Sequence, residues 1–198
     1  MSTKSAQTRQ FILEKTAPIF NQQGYSATSL SVITAATGLT KGAVYGNFKN
    51  KESLALEAFN YNVQFIIDQV RLILREIDSP LAKLYALIRF YRGYFDQCSL
   101  KGGCPLMNIA VDTKHTNPEL FKQVSTVITS IIESIAKVIE DGIKRGEIKK
   151  TVAPKLIGSR IFSTIEGAVF TAMMLEDEAY LTDMMNHLDR FIQTEIAC

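Results

Sequence analysis

The sequence predicts an all-α protein, and three observations carry that prediction. Apolar residues recur at three- and four-residue spacing along most of the 198 residues. No stretch of useful length alternates apolar and polar at the strand period. Gly, Pro and Asn fall between the periodic stretches, where helices must stop. With 46% hydrophobic and 21% charged residues and a mean hydropathy of +0.06, the chain can fill a core and leave apolar surface over for an oligomer interface. A disordered chain is thereby excluded over most of the length.

About nine helices follow in order. The first runs from Ser5 to about Gln23, with Phe11, Ile12, Ile19 and Phe20 on its apolar side. Pro18 inside it removes a backbone donor and predicts a local bend, and Gly24 ends it. Thr28 or Ser29 caps a short helix to Thr37, with Leu30, Ile33 and Ala36 inward, and Gly38 breaks it. Thr40 caps a third, Lys41 to Phe48, with Val44 inward. A long fourth helix spans Lys51 to about Glu76. Pro80 opens a fifth that reaches about Gln97, and Lys101-Gly102-Gly103-Cys104-Pro105 breaks the pattern. A short helix from Pro105 to Asp112, a long one from Pro118 to near Lys144, and two more beginning at Pro154 and Glu178 complete the chain.

The formal charge of +2 is unevenly divided. Residues 1–52 hold Lys4, Arg9, Lys15, Lys41, Lys49 and Lys51 against Glu14 and Glu52, a local +4, which leaves −2 for the rest. A basic head on a near-neutral body fits a polyanion-binding module joined to something that does not bind nucleic acid. Two parts are therefore expected, residues 1–50 and residues 51–198. No run reaches the roughly 18 uncharged apolar residues that span a bilayer, and the polar start Met1-Ser2-Thr3-Lys4-Ser5 leads into no secretory segment. A cytoplasmic protein without a membrane partner is expected. Cys98, Cys104 and Cys198 are too few and too scattered for a disulfide framework and read as reduced thiols.

The stretch from Thr28 to Phe48 has the parts of a helix-turn-helix. Ala35, Ala36 and Ala43 are small enough for two short helices to cross closely, and Gly38 tolerates the positive φ of a tight turn. Leu39 and Val44 plug the small core. Lys41, Gly42, Tyr45, Gly46 and Asn47 remain outward on a helix that fits a major groove about 12 Å wide. An ordinary packed three-helix unit is the alternative.

Over residues 8–59 the sequence resembles the TetR/AcrR family of bacterial repressors. The resemblance rests on Gln23-Gly24-Tyr25, Thr28-Ser29-Leu30, Ala36-Thr37-Gly38-Leu39-Thr40-Lys41-Gly42-Ala43-Val44-Tyr45, Phe48 and Asn50-Lys51-Glu52-Ser53-Leu54. It implies phosphate contacts from Thr28, Thr40, Tyr45 and Lys51, and base-edge approach by Lys41, Gly42 and Gly46. Ser29 and Asn47 complete the expected DNA-facing set. The family often has Arg where Ser31 stands and His or an aromatic at Gly46 or Asn47, so fewer side chains read bases here and DNA shape takes a share.

The family's second half is a helical bundle that binds a small molecule and dimerises. Ile161, Ile165, Ala168, Val169 and Ala172 on one of the last two helices, with Met184, Leu188 and Phe191 on the other, are the expected dimer face, and plain intrachain core is the other reading of those helices. A homodimer implies a palindromic operator on double-stranded DNA. Candidate effector contacts are Tyr91, Tyr94, Phe95, Cys104, Met107, Phe121, Phe162, Glu166 and Phe170, most of which must be core. Arg89, Arg92 and Asn108 are polar neighbours able to orient a ligand or simply to be solvated.

Cys104, at a helix start in Gly103-Cys104-Pro105, is a candidate redox or electrophile sensor or a packing residue. His115 and His187 lie far apart, no metal site or cofactor is expected, and no catalytic or nucleotide-binding signature is present. The expected function is a non-enzymatic repressor released from its operator by a small apolar or electrophilic effector. The alternatives are a repressor that senses redox state through Cys104, or an architectural DNA-binding protein without an effector.

Overall fold

The computed structural model describes residues 4–198, so the polar start at residues 1–3 lies outside it. Among the described residues there are ten α-helices: α1 (Lys4–Ala27), α2 (Leu30–Thr37), α3 (Lys41–Tyr45), α4 (Lys51–Leu74), α5 (Pro80–Arg92), α6 (Phe95–Leu100), α7 (Pro105–Thr113), α8 (Pro118–Arg145), α9 (Pro154–Leu175) and α10 (Ala179–Phe191), followed by a π-helical turn, Ile192–Ile196. The only β feature among them is an isolated antiparallel bridge, Ile148 to Ala197.

Three boundaries differ from expectation for local reasons. The fifth predicted helix is two, because Gly93 leaves the helical region (φ −95, ψ 15) and Tyr94 N–H turns back to the Tyr91 carbonyl at 3.0 Å. The third stops at Tyr45, where Gly46 N–H reaches the Gly42 carbonyl (2.8 Å) and Asn47 N–H tightens onto Val44 (3.0 Å). In α1 the interruption falls at Gly24 (φ 82, ψ 169), a conformation closed to residues with a Cβ, and not at Pro18.

The chain forms two compact units: one up to Ile66 together with Lys101–Ser125, the other Ile67–Leu100 together with Thr126–Cys198. In the first, Ile12, Ala17 and Phe20 of α1, Ile33 of α2, Val44 of α3, Phe48, and Leu54, Ala58 and Phe59 of α4 are all buried. The segment α7 lies along α1, and Leu106 and Ile109 are buried there.

In the second unit α10 packs on both α9 and α5. A Cβ on Gly158 of α9 would stand 2.9 Å from the Ile132 carbonyl oxygen of α8, so only glycine permits that approach. Ile161, Ile165, Ala168, Val169, Ala172 and Leu188 are 0–4% exposed within the single chain. They are the protomer's own core, which corrects their assignment to a dimer face. Met184 and Phe191 are half-buried. What α9 leaves outward is another stripe: Leu156, Phe170, Met174 and Leu175 are 50%, 47%, 63% and 55% exposed, with Ser163 and Gly167 exposed between them.

One acid staples this unit together. The Glu147 carboxylate accepts from Ser79 Oγ (2.6 Å) and Leu81 N–H (3.0 Å), satisfying an otherwise orphaned donor at the start of α5. Those two hydrogen bonds hold its carboxyl below the usual carboxylate range. Because the folded pKa is depressed, the stabilisation is complete above the unfolded carboxylate pKa and is lost as pH falls through the folded one. Glu147→Gln is therefore expected to lower the unfolding midpoint at neutral pH, with the gap to wild type closing as the pH is taken below the ordinary carboxylate range. Denaturant unfolding of both proteins across that range checks it, and a gap independent of pH counts against the staple.

Candidate nucleic-acid interface

The outward surface of the helix-turn-helix is built by what its inward residues do. Ser29 accepts from Val32 N–H (3.3 Å) to start α2. At its end Gly38 takes the left-handed conformation (φ 68, ψ 11) and returns its N–H to the Thr34 carbonyl at 2.9 Å. Thr37 locks the turn from beneath, its hydroxyl donating to the Ile33 carbonyl (2.8 Å) and accepting from Leu39 N–H (3.3 Å). Thr40 then accepts from Ala43 N–H (3.2 Å) and opens α3. With Ile33 and Val44 both fully buried, the other side of α3 faces out.

On that side Thr40, Lys41, Gly42 and Gly46 are exposed and Tyr45 is half-buried. Asn47 is committed locally: its Nδ2 donates to the Ala43 carbonyl at 2.9 Å, and its own carbonyl accepts from the Arg9 guanidinium. Arg9 also pairs with Glu57 and lies over the Phe48 ring at 4.3 Å, tying α1 to α4 and to the end of α3. Ser29 is exposed. Thr28 is not on this surface. It is fully buried and its hydroxyl donates back to the Gly24 carbonyl at 2.7 Å, so its side chain organises the bend between α1 and α2 and does not reach toward a phosphate.

Lys51 is the first residue of α4, whose start is closed by a reciprocal pair: Asn50 Oδ1 accepts from Ser53 N–H (2.8 Å) and Ser53 Oγ from Asn50 N–H (3.1 Å). The Lys51 ammonium stands 4.4 Å from the centre of the Tyr25 ring. Burial lowers its pKa, and the negative charge of Asp112 acts against that.

The candidate effector residues fall in both units. In the first, Cys104 is buried at the N-cap of α7 without a side-chain cap bond, and Met107 and Phe121 are half-buried. In the second, the rings of Phe90, Tyr91 and Tyr94 pack with centroids 5.1–5.5 Å apart. Tyr94 is buried, while Tyr91, Phe95, Phe162 and Glu166 are half-buried. Phe170 lies on the exposed outer stripe of α9, away from that unit's core. Arg92 pairs with Asp189 of α10, and Arg89 is exposed.

Sequence reasoning passed over Cys98. It is fully buried, and its pKa is pushed up to about 12, first by burial, then by the charge of Glu166, with a Tyr94 hydrogen bond opposing. The recurrence of Tyr91, Tyr94 and Cys98 at three- and four-residue spacing was the available signal, although the break at Gly93 puts Tyr91 on α5 and Cys98 on α6. Asn21, Asn108 and Asp112 were also missed as a group; they join α1 to α7. Among the described residues no cluster of three His, Cys, Asp or Glu suits a metal ion, and no helix is long and apolar enough to cross a membrane.

This geometry has close counterparts. Residues 12–58 match the family model for bacterial regulatory proteins of the tetR family, and residues 80–188 match the tetracyclin repressor-like C-terminal domain. A TetR transcriptional regulator from Chloroflexus aurantiacus J-10-FL is 35% identical and superposes with a TM-score of 0.92 over 98% of each chain. A TetR-family regulator from Cytophaga hutchinsonii is 32% identical, with a TM-score of 0.89 over 98% of this chain and 96% of that one. In sequence, an uncharacterized HTH-type transcriptional regulator of Bacillus subtilis (strain 168), YxaF, is 28% identical over 90% of this chain and 92% of its own length. Two family models, the second matching more than half of the chain, and two solved structures superposing over nearly all of it establish that this chain belongs to the TetR family of transcriptional regulators.

Proposed function

We propose that the chain is a cytoplasmic, non-enzymatic repressor that binds a palindromic operator as a homodimer and leaves it when a small molecule occupies its second half. Residues 1–50 read DNA, and residues 51–198 dimerise and sense. The observation that carries the reading is the face of α3: Val44 is fully buried while Lys41, Gly42 and Gly46 are exposed around it. Lys41 is the one cation on that helix and reaches a base edge. The exposed Thr40, the half-buried Tyr45 and Lys51 at the start of α4 meet phosphates, which set the register of the module without selecting sequence. Ser29 and Asn47 flank that surface.

The outer stripe of α9 is the surface this reading gives to a second copy. Leu156, Phe170 and Met174 are exposed apolar residues on a helix whose other side is core, and the small Ser163 and Gly167 between them let two such helices come close. Twofold pairing then sets two copies of α3 about one DNA turn, roughly 34–36 Å, apart. The effector goes to the aromatic region of the second unit, around Tyr91, Tyr94, Phe162 and Glu166. Phe95, on the same unit, is a further contact, while Cys104, Met107 and Phe121 belong to the first unit. An effector that favours the DNA-incompetent arrangement must be weakened by operator by the same factor as it weakens operator. Redox sensing through Cys104 is the poorer reading, because a thiol 9% exposed offers oxidants little access. A purely architectural role leaves the repressor-like C-terminal half without a purpose.

Selection of bound duplexes from random DNA tests the whole reading, and recovery of no two-half-site motif refutes it. With the selected operator in hand, Lys41→Ala is expected to relax one base position in each half-site, at about 1–3 kcal/mol of discrimination, measured against single-base variants. Met174→Glu, which buries an unpaired charge if α9 pairs with its mate, is expected to shift the protein to monomer in sedimentation and to abolish tight operator binding. A dimeric Met174→Glu protein removes α9 from the interface.

A further inference from the structure

Away from the DNA-facing surface, polar chemistry gathers where α7 meets the end of α1. Asn21 is 3% exposed and donates from Nδ2 to the carbonyls of Lys101 (2.7 Å) and Gly103 (2.9 Å). Asn108 of α7 donates in the opposite sense, to the carbonyls of Asn21 (3.0 Å) and Gly102 (2.8 Å). One helical turn further along α7, Asp112 Oδ2 accepts from the amides of Tyr25 (2.6 Å) and Ser26 (3.1 Å). The fit is tight on both sides: a Cβ on Gly24 would stand 3.0 Å from the Asp112 carboxylate, and one on Gly102 would stand 2.2 Å from Gln22 Cγ.

The amides that Asp112 caps matter because of the side chain between them. The Gly24 kink restarts the helix, so the first N–H groups after it take an acceptor from outside their own strand of hydrogen bonds. Asp112 supplies it and so fixes the backbone of Tyr25. The Tyr25 ring in turn lies against the Lys51 ammonium at 4.4 Å. A lysine at the first position of a helix is poorly placed for the helix dipole, and burial further disfavours its charge, which the Asp112 carboxylate sustains.

We propose that Asp112 is a positioning residue for operator binding: it holds Tyr25, Tyr25 holds the Lys51 ammonium where a DNA phosphate meets it, and α7 thereby sets operator affinity without touching DNA. The inference rests on the Lys51–phosphate contact of the proposed function. It reaches further, because it makes a residue far outside the helix-turn-helix part of the phosphate-binding apparatus, and it assigns to α7 the carboxylate that accepts from the Tyr25 and Ser26 amides.

The test is a double-mutant cycle on the full chain, read by titrating the selected operator at salt concentrations from roughly 50 to 200 mM. Lys51→Met is expected to weaken binding and to lower the salt slope by about one phosphate. Asp112→Ala is expected to weaken binding about tenfold, within the usual range of intersite coupling, and to lower the slope by the same amount. In the Lys51→Met background Asp112→Ala is expected to cost nothing further. If Asp112→Ala does not remain folded, the cycle is run with Asp112→Asn, which keeps one acceptor oxygen; its loss is expected to be smaller and likewise absent without Lys51. Additive losses, an unchanged slope, or tighter binding by the Asp112 variant overturn the inference and leave the DNA-binding reading intact. A Lys51→Met protein with wild-type affinity and slope overturns the phosphate contact and this inference together.

Discussion

What α3 turns outward depends on the burial of one small side chain. A five-residue helix has no stability of its own, since forming its first turn costs more than its few hydrogen bonds return. The helix α3 persists because Val44 is drawn fully into the core of its unit, where Ile12, Phe20, Ile33, Leu54 and Phe59 are likewise buried, a burial worth about 1.5–3 kcal/mol, and because Thr40 caps its start, worth about 1 kcal/mol more. Phe48 closes the far end, with the Arg9 guanidinium over its ring. The exposed residues of α3 need no special fold of their own. They are what remains when Val44 and Phe48 have gone inward.

Much of that was legible in the residues. The order of the helices, the Ser29 and Thr40 caps and the left-handed Gly38 all follow from local chemistry, in which side chain and backbone partner are within three or four positions of each other. Thr28 shows where local reasoning stops. A threonine before a helix has two uses for its hydroxyl, and nothing in its neighbours tells that this one turns back to the Gly24 carbonyl. The latch of Asn21, Asn108 and Asp112 was illegible for a different reason. Its partners on α1 and beyond Leu100 are 80 to 87 positions apart, and isolated polar residues carry no period that pairs them.

The helix α9 failed in a third way. Periodicity orients a helix by contrasting an apolar face with a polar one. Here Ile161, Ile165 and Val169 occupy one side while Leu156, Phe170 and Met174 occupy another, so the pattern says only that both sides are covered by something. Packing decides which side belongs to the protomer: Gly158 allows α8 to approach at backbone distance and α10 fills the adjoining groove, which takes the isoleucines inward. The cysteines make the same point about burial. Cys104 drew notice because it begins a helix, and Cys98 did not, yet both are buried. The environment of Cys98, with Glu166 and Tyr94 beside it and its pKa near 12, keeps that thiol protonated at neutral pH. Position in a helix predicts reactivity only where water and oxidant can reach the sulfur.

The bare recognition face has a consequence for how such a regulator works. With Gly42 and the capping Gly46 outward, α3 offers few groups to base edges, and in the proposed reading most attraction to DNA comes from cations facing phosphates. Affinity built in this way is sensitive to the placement of each cation, because a phosphate contact is a matter of an ångström or two of ammonium position. In the arrangement proposed above, Lys51 owes its position to a ring, a kinked backbone and a carboxylate in α7. A regulator that reads bases through many side chains must disturb the recognition helix itself to let go. One that holds DNA through positioned cations can be released by a small shift in what positions them, while Val44 and the core behind α3 stay as they are.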